Sequence, residues 1–435
     1  MSAFLTKIQY AVVILLCVAL GGALIDDRAA WHAYYAAVIL ASLFCLLRAK
    51  LIVEWFLRSP FWVKVFLVAI IMVGGLELSW SLVYGQQEEG LVINIGENYY
   101  QLSSIYSRHF YSGLAMVISI PLFICLYGVK IYQRPIFLIF MAMGLFVFLL
   151  VVLVLGIDEW QNTSSRVQLK GDWPITTAME YFFIIIMLFS FGKGVDTLSI
   201  IKKGSGIIVA VCGFIFVWLT DTRSVLVLLT LYCIWYVGKS FPSCPRNIRL
   251  LIILTLSMVV LGCLYHFNVA NRLFSTYFEI VQYFNGQPNT SMGGRFSMWK
   301  GSIFAILESP WSNGIGERYF YLQQYVMLNE YSNRAALEAM LYHVHNEYLD
   351  ALSLKGIKGL LVMLLLFSSG VLMAVKDKII SGDFAFFLLL IMIYCLFDSF
   401  FIHPDLVMLF CVISALYFSL GRDSIIQSRL VQGNG

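Results

Sequence analysis

Apolar runs long enough to cross a lipid bilayer recur along this chain, separated by short polar stretches. Inside hydrocarbon no water satisfies backbone N–H and C=O groups, so a segment that enters the bilayer must be a helix or part of a closed barrel. Taking apolar windows of roughly 17–25 residues as spans, helices are predicted near 8–25, 31–47, 61–83, 110–128, 135–156, 175–191, 206–221, 223–238, 249–266, 348–375, 384–401 and 404–420. The expected fold class is an all-α polytopic integral membrane protein with about twelve transmembrane helices. Composition agrees, with 60% hydrophobic and 12% charged residues where an average soluble protein has roughly 25% charged. The first run lacks a small-residue cleavage site and is followed by many more, so it reads as a retained helix and not a signal peptide.

Charge orients the spans. With the amino terminus inside, the inner loops hold Arg48, Lys50 and Arg58, then Lys130 and Arg134, then Lys193, Lys202 and Lys203. Further on they hold Lys239, Arg246 and Arg249, then Lys376 and Lys378, and the tail adds Arg422 and Arg429. The opposite loops carry Asp26, Asp27, Glu88, Glu89, Glu97, Asp158, Glu159 and Asp172 instead. This Lys/Arg bias places both termini inside. The net charge of +4 is thus a topology signal and not the footprint of a nucleic-acid partner. Cys17, Cys45, Cys125, Cys212, Cys233, Cys263, Cys395 and Cys411 fall inside expected spans and Cys244 in a short basic inner loop, so no disulfide framework is expected.

Three sections follow: 1–266 with nine spans, 267–347 as one large outer loop, and 348–435 with three spans and an inner tail. A loop of that length usually has a function. Phe296 to Leu307 and Glu317 to Met340 mix aromatic, aliphatic and charged residues as interfacial helices do. Asn289-Thr290-Ser291-Met292-Gly293-Gly294 reads as a flexible turn between them.

Chemistry concentrates on the outer side. Arg223 lies in the turn Thr220-Asp221-Thr222-Arg223, Arg295 follows Gly293-Gly294, and Arg166 precedes the sixth span. A guanidinium offers a planar fork of donors that stays charged, so two or three converging can grip a diphosphate and stabilise it as a leaving group. The blander alternative is that each arginine snorkels to lipid phosphate. His345, at the mouth of the tenth span, suits a general base, because an unperturbed imidazole is largely neutral at pH 7. If that helix already starts at His343, then His343 and Glu347 share a face; the blander alternative is that His343, His345, Asn346 and Glu347 cap the helix and wet its interface. His343-Val344-His345 is a weak metal pattern, and no metal is expected. Gly356 and Gly359 read most simply as small residues for close helix packing. Asp398 and Glu77 are ionisable groups in apolar surroundings, and such groups are functional candidates. Asp398 is expected to meet an outer arginine, and Glu77 either lines a sugar groove or makes a structural polar contact.

Taken together, these residues resemble the O-antigen ligases of Gram-negative lipopolysaccharide assembly, within the larger group of O-antigen ligases and polymerases. The resemblance rests on His345-Asn346 followed by Gly356 and Gly359, on Gly294-Arg295-Phe296-Ser297-Met298-Trp299, and on Thr220-Asp221-Thr222-Arg223. It is close from Gly293 to Leu360, shorter at the Arg223 turn, and confined to hydropathy and span order over the first 160 residues. It implies an inner-membrane, GT-C-like glycosyltransferase, metal- and nucleotide-independent and without cofactor. Its donor would be an undecaprenyl-diphosphate-linked glycan and its acceptor lipid A-core, meeting at a periplasmic active site among membrane lipids. By the same resemblance His345 is the catalytic histidine, Arg223 and Arg295 hold the diphosphate, and the family's late acidic residue falls on Asp398, with Asp405 a competitor. The nearest rival is an O-antigen polymerase, and the rival of another class is a lipid-linked-glycan flippase or transporter. A transporter would show two-fold repetition and Gly/Pro-broken helices at matching positions, and neither is evident in the sequence.

Overall fold

In the computed structural model, residues 2–95, 98–127, 134–170, 173–193, 199–240, 269–331, 333–377 and 382–420 are described. The amino-terminal part runs α1 (Ser2–Gly22), α2 (Asp27–Leu47), α3 (Ala49–Arg58) and α4 (Phe61–Gln87). A short antiparallel hairpin follows, β1 (Val92–Ile95) with β2 (Asn98–Gln101). Then come α5 (Leu102–Ile118), α6 (Ile120–Leu126), α7 (Pro135–Thr163), α8 (Pro174–Lys193), α9 (Ser199–Thr220) and α10 (Arg223–Ser240). The segment expected as the large outer loop holds α11 (Val269–Phe284), α12 (Ser291–Glu308), α13 (Ile315–Asn329) and α14 (Arg334–Ala339). The chain returns through α15 (Glu347–Leu372), α16 (Gly382–Tyr394) and α17 (Pro404–Ser419). This is an all-α polytopic membrane fold with one minor hairpin.

Burial sorts the spans. The apolar window of α8 is 89% buried whereas that of α7 is 28% buried, so α8 runs through the bundle and α7 along its rim. On α7, Ile136, Phe140, Met143, Val147, Val151 and Val154 are exposed at three- to four-residue spacing, a stripe that lipid covers. α4 packs against both α5 and α15. It meets α5 closely because Gly74 and Gly113 face each other, and an added Cβ on either would lie 2.8 or 2.7 Å from the other's carbonyl oxygen.

Seven described helices have the length and apolarity of a span, and Gly206–Thr220, Gly382–Tyr394 and Pro404–Ser419 are shorter apolar ones. The expected eighth span corresponds to α10. The ninth, 249–266, lies outside the described residues, as does Cys244. The expected span 384–401 ends at Tyr394, which puts Asp398 in a loop. Helix α15 starts at Glu347 and not at His343, so those two side chains do not share a helix face.

The large outer segment is packed, not open. Met298, Ile315, Leu322, Ala336 and Val344 form one apolar cluster with Trp80, Leu102 and Tyr106 from the ends of α4 and α5. The α13 amino terminus is tied down by Glu88, which accepts from the N–H groups of Gly316 at 2.9 Å and Glu317 at 3.3 Å, satisfying donors that a helix start leaves open. Thr290 caps α12 by accepting from Gly293 N–H at 3.0 Å. The stretch expected as a flexible turn therefore includes the first turn of a helix, with Gly293 and Gly294 buried inside it.

Within α15 the helix breaks at Gly356, whose φ is 68° and ψ is −167°. The freed carbonyl of Leu354 accepts from Asn313 N–H and Ser312 Oγ, both at 2.9 Å, and that of Ser353 from Asn313 Nδ2 at 2.7 Å. Only glycine adopts that backbone readily, and a Cβ there would stand 2.1 Å from the Trp311 carbonyl oxygen. Gly356 thus serves a broken helix, not helix–helix packing. Gly356→Ala is expected to lower the thermal midpoint of the detergent-purified protein by several degrees or prevent its recovery, since holding a non-glycine residue in that backbone region alone costs on the order of 1–3 kcal/mol. Gly75→Ala, where a Cβ meets nothing within 4 Å, is the control and should match the wild type.

Candidate active site

The turn from His343 to Asn346 joins α14 to α15 and is pinned at each residue. Asn346 caps α15 by accepting from Leu349 N–H at 3.1 Å. Val344 donates its N–H to the Asp350 carboxylate at 3.2–3.3 Å and accepts at its carbonyl from Trp299 Nε1 at 2.9 Å. His345 has φ of +53°, a left-handed conformation uncommon outside glycine, and its N–H donates to His343 Nδ1 at 3.2 Å. A non-glycine residue held at positive φ stores strain of the kind found at functional sites.

Asp398, from the loop between α16 and α17, completes the group. Its Oδ1 lies 3.4 Å from His345 Nδ1 and 3.7 Å from His343 Nδ1. Asp398 therefore meets histidines, not the outer arginine expected from sequence. The His345 side chain is 24% exposed against 5% for Asp398 and 6% for His343, so His345 is the member a substrate can reach. With Nδ1 turned to the carboxylate, Nε2 across the ring is the nitrogen left to accept a proton.

Electrostatics separates the roles. Burial pushes His343 and His403 down to about 4, so both are neutral at pH 7. Burial alone would raise Asp398, but hydrogen bonding to His345, with His343 and His403 beside it, holds its carboxyl well below the ordinary range. An anionic Asp398 can then orient His345 and stabilise the imidazolium that forms when it takes a proton. His403 adds a third imidazole 6.4 Å from His343 by ring centroid. Trp173, at the head of α8, stands 6.2 Å from His343 and 6.5 Å from Tyr342.

The arginines occupy neighbouring elements. Arg295 sits in the second turn of α12, four residues before the Trp299 that bonds Val344, so it lies on the face directed at the His345 turn. Gly293 and Gly294 beside it approach Pro288 and Ala335 closely, which gives them a packing role and not a ligand-facing one. Arg223 is the first residue of α10 and exposed. Its turn is braced by Arg166, whose Nε and Nη2 donate to Asp221 Oδ2 at 3.1 and 2.8 Å. Arg166 thus supports the Arg223 turn.

Two sequence candidates turn out to be structural ties. Glu347 accepts from the N–H groups of Phe400 at 2.5 Å and Phe401 at 3.0 Å, fixing α15 to the loop of Asp398. Glu77 is buried, 2.7 Å from Lys355 Nζ and 2.9 Å from His109 Nδ1, so it makes a polar contact inside the fold.

His343, His345 and Asp398 each offer a ligand atom within 4.8 Å of the others, as do Asp27, Glu180 and Asp405. In the first trio the Nδ1 lone pair of His343 already accepts the His345 N–H. In the second, Lys170 Nζ bonds Asp27 and stands 3.6 Å from Glu180, supplying an internal cation. Both groups read as hydrogen-bonded clusters. Sequence reading passed over His403 as a partner of Asp398, and it passed over Asp350, Arg318 and Trp173 altogether. For Asp350 a local signal existed, since it lies four residues after Asn346 on the first turn of α15.

The fold is that of a polytopic membrane protein with a His–Asp pair, 3.4 Å apart, at a helix mouth. Residues 208–364 match the family model described as O-Antigen ligase. The matched segment contains Arg223, Arg295 and His345. The chain is similar to the O-antigen ligase of Escherichia coli (strain K12), 30% identical over 164 residues, which is 37% of this chain and 38% of the relative. It is also similar to an uncharacterized protein of Haemophilus influenzae, 27% identical over 150 residues, 33% of this chain and 36% of that protein. The match thus spans well under half the length of either relative.

Proposed function

We propose that this protein is an O-antigen ligase. It transfers a glycan from an undecaprenyl-diphosphate carrier to lipid A-core at the periplasmic face of a bacterial inner membrane. The observation that carries this reading is the His345–Asp398 pair, 3.4 Å apart, at a partly exposed helix mouth whose histidine lies inside the matched segment. His345 Nε2 takes the proton of the acceptor hydroxyl, while Asp398 keeps the proton on Nδ1 and balances the imidazolium. The freed oxygen attacks the anomeric carbon of the donor, the bond from that carbon to the diphosphate oxygen breaks, and undecaprenyl diphosphate departs with the bonding electrons. Arg223 and Arg295 hold the charge that develops on the diphosphate. The free energy comes from the sugar–diphosphate bond, and the sequence has no Gly-rich Lys-Ser/Thr phosphate loop.

The test is reconstitution of the purified protein with diphosphate-linked glycan and lipid A-core, with chelator present and nucleotide omitted. Lipopolysaccharide bearing the glycan is the expected product, at the same rate with and without chelator. Product formed only when a second lipid-linked glycan is the acceptor would make the protein a polymerase. Loss of activity with chelator, restored by a divalent cation, would redirect attention to the His343–His345–Asp398 trio as ligands.

A further inference from the structure

The transfer just described needs an imidazole and a carboxylate, from segments some fifty residues apart, held in register, and at 3.4 Å the contact between them is a long, weak tether. Asp350 does more. It is buried at 4% exposure on the first turn of α15, and it accepts from Val344 N–H at 3.2–3.3 Å, from Ser399 Oγ and from Arg318 Nη1. Val344 is the residue before His345, and Ser399 is the residue after Asp398. One carboxylate therefore grips both backbone segments next to the two reacting side chains. Arg318 comes from α13 and is wholly buried, so its charge has no solvent to turn to and stays on Asp350.

We infer that Asp350, backed by Arg318, is a positioning residue that sets the separation of His345 and Asp398; this rests on the general-base reading above. A carboxylate suits the task because it accepts from several donors at once, where an amide at the same place turns one acceptor into a donor. The same two segments are also tied by Glu347, whose carboxylate binds the N–H groups of Phe400 and Phe401 and whose own N–H donates to Cys395 O at 2.8 Å. Loosening Asp350 therefore shifts the pair without releasing the loop. Small misplacements of reacting groups cost on the order of 10²-fold in rate.

In the full-length protein reconstituted with both substrates, Asp350→Asn is expected to lower kcat by roughly 10²-fold and leave the donor KM within about twofold, since it touches no substrate. Combined with Asp398→Asn, it should add less than about threefold to the loss from Asp398→Asn alone, because both act through one imidazole. Wild-type kcat in Asp350→Asn, a raised donor KM at unchanged kcat, or losses that multiply in the double variant would each overturn the inference. Should Asp350→Asn not yield monodisperse protein, Ser399→Ala removes one tether and no charge. It is expected to lower kcat about tenfold at unchanged KM, the size of one lost hydrogen bond, and wild-type kcat there would equally overturn it. His345→Ala separates the two levels: an active His345→Ala sinks the general-base reading itself, whereas an inactive one beside a wild-type-like Asp350→Asn sinks only the positioning role.

Discussion

Replacing His345 by alanine is expected to reduce glycan transfer by roughly 10³-fold or more, within the range that a positioned general base contributes, while the protein still folds. Its side chain is 24% exposed, beside Asp398 and the edge of His343, so no core cavity results. The N–H bond from residue 345 to His343 Nδ1 survives the change. What remains is an alanine at positive φ, which costs roughly 1–2 kcal/mol in a turn that Asn346, Val344 and Trp299 hold independently. His343→Ala is the informative comparison. That imidazole is buried and neutral, and its function in the turn is one hydrogen bond to a backbone N–H, so about tenfold is the expected loss. Initial rates of ligation at equal protein levels decide the matter, and similar rates for His345→Ala and wild type would remove the base assignment.

Among the described residues, seven helices with the length and apolarity of a span were legible, because a bilayer demands long apolar runs whatever their neighbours do. Legibility failed where tertiary contacts decided. Leu396, Phe397, Phe400, Phe401 and Ile402 make the stretch around Asp398 look like the end of a span, yet the helix stops at Tyr394 because this segment bonds to Glu347 on α15. Gly356 looked like a packing glycine because nothing local announces that residues 312–313 will take over the carbonyls of Ser353 and Leu354. Arg318 and Asp350 are 32 residues apart, and a pair made across helices leaves no periodic trace. Thr290 was a different kind of miss, since a threonine three residues before a buried position is a recognisable helix cap that the adjacent glycines obscured. The proposed catalytic pair was half legible: His345 stood out by its neighbours, and Asp398 by its charge, but that they face each other came only from the fold.

Arg295→Lys and Arg223→Lys are each expected to lose most activity, on the order of 10²-fold, as when one preorganised donor to a developing anion is removed. Lysine keeps the charge but concentrates it at a point, and it cannot present two parallel N–H groups to a phosphate. The diphosphate gains charge as the anomeric bond breaks, so the loss should fall on kcat and not on donor KM alone. The two positions are built for it differently. Arg295 is half-buried, on the face of α12 that carries the Trp299 bond to Val344. Arg223 is exposed and follows Asp221, a residue at φ of +49° that Arg166 clasps through two donors. Arg166→Lys should cost less than either, because it removes one of the two bonds to Asp221 and touches the donor only through the turn it braces. Kinetics at equal protein levels, with donor concentration varied, distinguish grip from bystander. A lysine variant with near-normal KM and kcat would show that its arginine merely reaches lipid phosphate at the headgroup level, and the diphosphate would then have to be held by the other arginine with different partners.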